Sequence, residues 1–143
     1  MNELTLLAGR VKKCTLPVVQ PPSPPDSPTL KRLLLPQGEL AQFYDGDAGI
    51  RYIAQIELQT GSVRGNHYHK AKQEWVYMMS GEVTLIVEDL ESKTRESAQL
   101  TAGDLAFIQT GIIHALQVTK SGQAIEFSTA RFDPNDIYRH KLV

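Results

Sequence analysis

The sequence predicts an all-β domain, a sandwich or barrel of eight or more short strands. Three observations carry that expectation. Apolar residues alternate with polar ones instead of recurring at three and four. No proline interrupts residues 37 to 133, and glycines punctuate that stretch at Gly46, Gly49, Gly61, Gly65, Gly81, Gly103, Gly111 and Gly122.

Taken in order, Leu30 to Leu35 is the first strand candidate, just after a segment that excludes one. Pro21-Pro22-Ser23-Pro24-Pro25-Asp26-Ser27-Pro28 lacks the amide donors that a helix or an interior strand needs. Residues 1–36 are therefore expected to form an N-terminal extension whose proline-rich part is a strap along the surface, residues 37–133 the barrel, and residues 134–143 a C-terminal tail. In the barrel, Tyr52, Ala54, Ile56 and Leu58 share one parity against Gln55, Glu57 and Gln59, and Val83, Leu85 and Val87 alternate with Thr84 and Glu88. Glu74 to Met79, Ala98 to Leu100, Leu105 to Ile108, His114 to Val118 and Ile125 to Thr129 complete the set. Turns are expected at Ser80-Gly81, Asp89 to Thr94, Ala102 to Asp104 and Ser121-Gly122. Only Asn135 to Lys141 suggests a short helical turn.

Composition limits the function. The 143 residues are 41% hydrophobic and 22% charged, as expected of one globular domain. Fifteen Lys and Arg against sixteen Asp and Glu leave no field to draw nucleic acid or an anionic membrane. The single cysteine, Cys14, cannot form an internal disulfide, and no apolar leader opens the chain, so a cytoplasmic protein is expected. No glycine-rich phosphate loop, nucleophile elbow or paired-cysteine zinc motif is present.

The histidines carry the chemistry. On a strand, His67 and His69 project from the same face. A turn over Lys70 to Gln73 brings Glu74 back to the same spot, and His114 enters from a distant strand. Three imidazoles and a carboxylate suit one divalent transition metal (Fe, Mn, Ni, Zn, Co or Cu) and leave coordination positions open for a small molecule.

The spacing is a pattern: Gly61, five residues, His67, one residue, His69, four residues, Glu74, six residues, Gly81. It resembles the first motif of the cupin superfamily at all five positions. The second cupin motif resembles Gly103, five residues, Gln109, one residue, Gly111, two residues, His114, three residues and Val118, with Gln109 in place of a proline and Val118 in place of an asparagine. The resemblance implies a jelly roll, or double-stranded β-helix barrel, with His67, His69, Glu74 and His114 as metal ligands. It also implies a homodimer formed through edge strands. Arg64-Gly65-Asn66-His67-Tyr68-His69-Lys70 is similar to a stretch of cupins that act on nucleotide-linked sugars, where the histidines move protons.

Three functions follow: an enzyme acting on a small molecule at a metal centre, a metal-independent sugar-nucleotide isomerase or epimerase with histidine as acid or base, and a non-catalytic ligand-binding cupin. Arg64 is the candidate for a substrate carboxylate or phosphate. Tyr44, Tyr52, Tyr68 and Tyr77 are candidate donors at the rim. Trp75, Met78, Met79 and Phe107 are expected to fill the space between sheets.

Overall fold

The strand alternation sorts side chains onto two faces. In the computed structural model, which describes residues 2–143, Val83, Leu85 and Val87 are fully buried, while Thr84 and Glu88 between them are partly open. Leu100, Ala106, Ile108, Ile112 and Val118 join them in one apolar core. These buried side chains are what drives the sheet to curl on itself, because a flat sheet would leave one face of them wet.

Twelve strands are described. They are β1 (Asn2–Leu6), β2 (Val11–Thr15), β3 (Val18–Val19), β4 (Lys31–Leu35), β5 (Gly38–Gln42), β6 (Tyr52–Leu58), β7 (Val63–Tyr68), β8 (Glu74–Asp89), β9 (Arg95–Thr101), β10 (Asp104–Ile108), β11 (Ile112–Ser128) and β12 (Tyr138–Arg139). Nine of them form one antiparallel sheet running β1-β2-β10-β8-β11-β7-β12, with β6 on β11 and β9 on β8. The all-β jelly-roll expectation is met. Residues 2 to 15, which precede the proline-rich segment, contribute two of these strands, with β2 paired along β10 from Thr15–Asp104 to Val11–Ile108.

β8 and β11 are long because each serves two walls. Residues 112–118 of β11 pair with 83–89 of β8 and with β7, whereas residues 122–128 pair with β6 and residues 123–127 with 75–80 of β8. The register slips where the walls meet, between Val118 and Ala124. Gly81 and Gly122 make that corner possible. A Cβ on Gly122 would stand 2.1 Å from the carbonyl oxygen of Ser80, and Gly81 has φ +84° with its own Cβ position 2.6 Å from the Lys120 carbonyl.

β3, β4 and β5 make a separate small sheet. Around it, Leu30, Ala41, Phe43 and Tyr44 pack against Leu16, Tyr77, Leu105 and Phe127 on the outer face of the barrel sheet. Residues 20 to 30 form no regular element, as the prolines require. The expected final turn is a short 3₁₀ turn at Pro134–Asp136, capped by the Asp133 side chain, which accepts from the Asn135 amide. No described helix is long and apolar enough to cross a membrane.

Candidate functional site in the barrel mouth

Alternation places two of the four key side chains. His114 shares parity with the core residues Ile112, Leu116 and Val118, and Glu74 with Val76 and Met78, so both point into the barrel. His67 comes from β7, where Gly65 (φ +91°) and Asn66 (φ +57°) form an irregularity opposite His114 and Ala115. A side chain at Gly65 would meet the His114 carbonyl oxygen at 2.7 Å, so the residue must be glycine for the strands to close here. Asn66 holds its left-handed backbone by accepting the amides of Leu142 and Val143 at Oδ1.

The predicted residues converge. Ligand atoms of His67, His69 and His114 lie within 4.8 Å of one another. Glu74 Oε1 is 2.8 Å from His114 Nε2 and 4.0 Å from His69 Nε2, and Oε2 is 3.3 Å from Lys72 Nζ. His69, Glu74 and His114 are buried and His67 is half-buried. All but His69 line a cavity of about 320 Å³, with Ile56, Val76 and Leu116 as apolar walls. Arg64 lines the same cavity from the exposed rim, its Nη1 donating to the Glu57 carbonyl at 3.3 Å.

The backbone fixes which nitrogen each imidazole presents. Nδ1 of His69 lies 2.7 Å from the carbonyl oxygen of Asp136, and Nδ1 of His114 lies 3.0 Å from that of Ile112. A carbonyl only accepts, so both Nδ1 atoms carry the proton and Nε2 faces the site. His69 Nε2 and His67 Nδ1 are buried without a hydrogen-bond partner. His114 Nε2 can approach a carboxylate oxygen at 2.8 Å only if it is protonated or if both atoms share a cation.

Electrostatics follows from this packing. Burial, with the neighbouring imidazoles of His114 and His69, pushes His67 down to about 3, and burial also lowers His69. Both are neutral electron-pair donors near pH 7. Burial alone would raise Glu74 and lower His114, but their mutual charge and hydrogen bond reverse both, holding the Glu74 carboxyl below the usual range and the His114 imidazole above it. His114 and Glu74 thus form an ion pair at the base of the cavity.

Other expected donors lie elsewhere. Tyr77 is buried and stacks on Phe43 with centroids 4.3 Å apart, Tyr68 stacks on Tyr138, and the Tyr44 hydroxyl accepts from the Ala48 amide. Trp75 and Phe107 pack on each other and Met78 is fully buried, but Met79 is 44% exposed, because it falls on the outward parity of β8. Two residues escaped the sequence reading. Asp136 accepts the amides of Lys70, Ala71 and Lys72 and so holds the turn between His69 and Glu74. Glu126 lines the cavity, and its inward parity with Ala124 was the available signal.

A family model described as Cupin domain matches residues 54–128, just over half the chain. The chain belongs to the cupin family. No curated protein sequence matches this cupin. Its structure is similar to that of the dTDP-6-deoxy-D-glucose-3,5-epimerase RmlC from Legionella pneumophila, solved with dTDP-4-keto-L-rhamnose, at TM-score 0.74 and 14% identity over 99% of this chain and 78% of that one. It is also similar to the TDP-quinovose 3,4-ketoisomerase WlaRB from Campylobacter jejuni, at TM-score 0.67 and 18% identity over 78% and 89% of the two chains. CapF, solved with the inhibitor 3-isopropenyl-tropolone, matches at TM-score 0.57 and 21% identity over 63% of this chain and 28% of that one. At these identities the likeness establishes the shared fold.

Proposed function

We propose that this cupin is a sugar-nucleotide isomerase or epimerase that relocates a proton beside the carbonyl of a nucleotide-linked keto-sugar. The observation that carries the reading is the buried His114–Glu74 pair at the base of a cavity with an arginine at its rim. Support comes from the similarity of fold to epimerases and ketoisomerases of dTDP-sugars.

The cavity divides the work. Arg64 at the rim suits the diphosphate, where a guanidinium binds two oxygens at once. The apolar walls from Ile56, Val76 and Leu116 suit the face of a deoxygenated sugar and exclude water from the reacting carbon. His67, neutral at pH 7, accepts a proton as base, and the charged imidazole of His114, held by Glu74, stabilises the negative charge that develops at the carbonyl oxygen. Incubation with dTDP-linked 4-keto-6-deoxyhexoses in D₂O tests this by proton NMR. Deuterium should enter at the carbon next to the carbonyl, and His114→Ala should lose at least about 100-fold in that rate. No exchange by the wild type with any such sugar would overturn the reading.

A second reading retains a divalent transition metal in the same pocket. It is favoured by the unpartnered His69 Nε2 and His67 Nδ1, beside a carboxylate that approaches His114 Nε2 at 2.8 Å. These are the atoms that would hold the ion, and in His69 and His114 the far nitrogen is pinned by a carbonyl, as ligating histidines need. The chemistry it would supply is Lewis acidity toward a carbonyl oxygen. Tropolones, one of which inhibits CapF, have the paired oxygens that grip such an ion. Elemental analysis of tag-free protein, and activity after dialysis against a chelator, separate the two readings. Full activity in metal-free protein overturns this one.

A further inference from the structure

Glu126 is a half-buried carboxylate of the cavity wall without an ion-pair partner. Among the described residues it forms no ion pair, and its one hydrogen bond is a long one, 3.4 Å, from the Tyr52 hydroxyl. It shares parity with the core residue Ala124, so it points into the same cavity as His67, Glu74 and His114. Partial burial of an acid without a paired cation disfavours its charged form. It also comes from the other wall: residues 122–128 of β11 pair with β6, whereas His114, on the same strand, lies in the part that pairs with β7.

Resting on the reading of the site as a keto-sugar isomerase or epimerase, we propose that Glu126 is a second proton-transfer group of that reaction, working with Tyr52 from the wall across the cavity from His67. Moving a proton from one face or one carbon of a sugar to another needs two groups, one to remove it and one to return it. His67 takes the proton from the carbon beside the carbonyl. The C–H bond breaks, its electron pair forms the enolate double bond, and the carbonyl oxygen takes the negative charge. Glu126 in its acid form then gives a proton to carbon from its own side, the carbonyl re-forms, and Glu126 is left ionised. The sugar's composition is unchanged, and both groups recover their starting protonation from solvent.

The surroundings favour the acid form of Glu126 more than water does. Burial comes first and the nearby charge of Glu74 second in raising the Glu126 carboxyl, against Lys72 from the turn before β8 and Arg64 from β7, with Tyr52 facing it from β6. His67 and His114 line the same cavity.

The isosteric Glu126→Gln variant tests the assignment with dTDP-4-keto-6-deoxyhexoses in D₂O. The expected result is a split: deuterium exchange at the reacting carbon within about threefold of wild type, with product formation reduced at least about 30-fold. The fall of wild-type turnover as pH rises through the Glu126 titration should be absent from the variant's residual activity. A purely structural role would instead lower the melting temperature, whereas removing a half-buried acid that has no ion-pair partner leaves it unchanged or higher. Product formation within twofold of wild type overturns the role of Glu126 alone, as does equal loss of exchange and product. A wild type that exchanges no proton overturns both this assignment and the reading beneath it.

Discussion

The carbonyl oxygen of Asp136 lies 2.7 Å from Nδ1 of His69, while its carboxylate takes the amides of Lys70, Ala71 and Lys72. One residue from the tail thus sets both the tautomer of a site histidine and the shape of the turn that returns the chain to Glu74. The tail is therefore part of the site's support, although it contributes nothing to the cavity wall.

Replacing Asp136 with alanine should leave those three amides without an acceptor. Lost hydrogen bonds to a charged group cost about 1.5–3 kcal/mol, and urea unfolding should show a loss of that order. Burial raises the Asp136 carboxyl, but the amides of Lys70, Ala71 and Lys72 outweigh it and hold it below its ordinary value. A depressed carboxyl contributes stability that is present above its unfolded pKa and is lost as pH falls below it. Wild-type stability should thus decline below about pH 4, and Asp136→Asn should flatten that decline.

The imidazole of His67 behaves in the opposite sense to a paired histidine. Its folded pKa, about 3, lies below the ordinary value of 6.5, so the unfolded chain binds the proton first. Stability is retained above pH 6.5 and drains away between 6.5 and 3, with His69 shifted in the same direction. Melting temperatures recorded across that window should fall with acid, and less steeply in His67→Gln. An unchanged slope would show that His67 is solvated.

At Gly65 the constraint is steric. With φ +91° and a Cβ position 2.7 Å from the His114 carbonyl, alanine would cost about 1–2 kcal/mol for the left-handed backbone and about 1–3 kcal/mol for overpacking. Gly65→Ala should melt earlier and lose ligand binding together, since β7 must move away from β11. Calorimetry with a dTDP-sugar reads both.

Glu74 and His114 should prove non-additive. Removing His114 alone leaves a buried carboxylate with only Lys72 beside it, and breaking a buried pair costs about 3–5 kcal/mol. Glu74→Gln with His114→Leu together should cost less than the sum of the two. A double-mutant cycle in urea measures the coupling, and strict additivity would mean that the two groups do not interact.

Much of the barrel was legible because inward parity is written along its strands: Val83, Leu85 and Val87, or Leu105 to Ile108, need no tertiary information. The four site residues were legible from spacing. What escaped depends on partners remote in sequence. β2 carries Lys12, Lys13 and Cys14 and gains its place only by pairing with β10. β8 and β11 read as two strands each, because the glycine at each corner looks like a turn when it is in fact a bend in a continuous strand. Asp136 acts through backbone amides, which no residue pattern reveals. Glu126 went unnoticed because Ile125 and Phe127, on the other parity, are the more apolar pair, and they pack against the outer sheet around Phe43.

The shared corner at Gly81 and Gly122 links the two sides mechanically. Because β11 runs unbroken through it, Glu126 is tied to His114 by continuous main chain, while β8 carries Glu74 alongside. Arg64 stands at the exposed rim, donating to the Glu57 carbonyl, which makes β7 the place to look for altered selectivity.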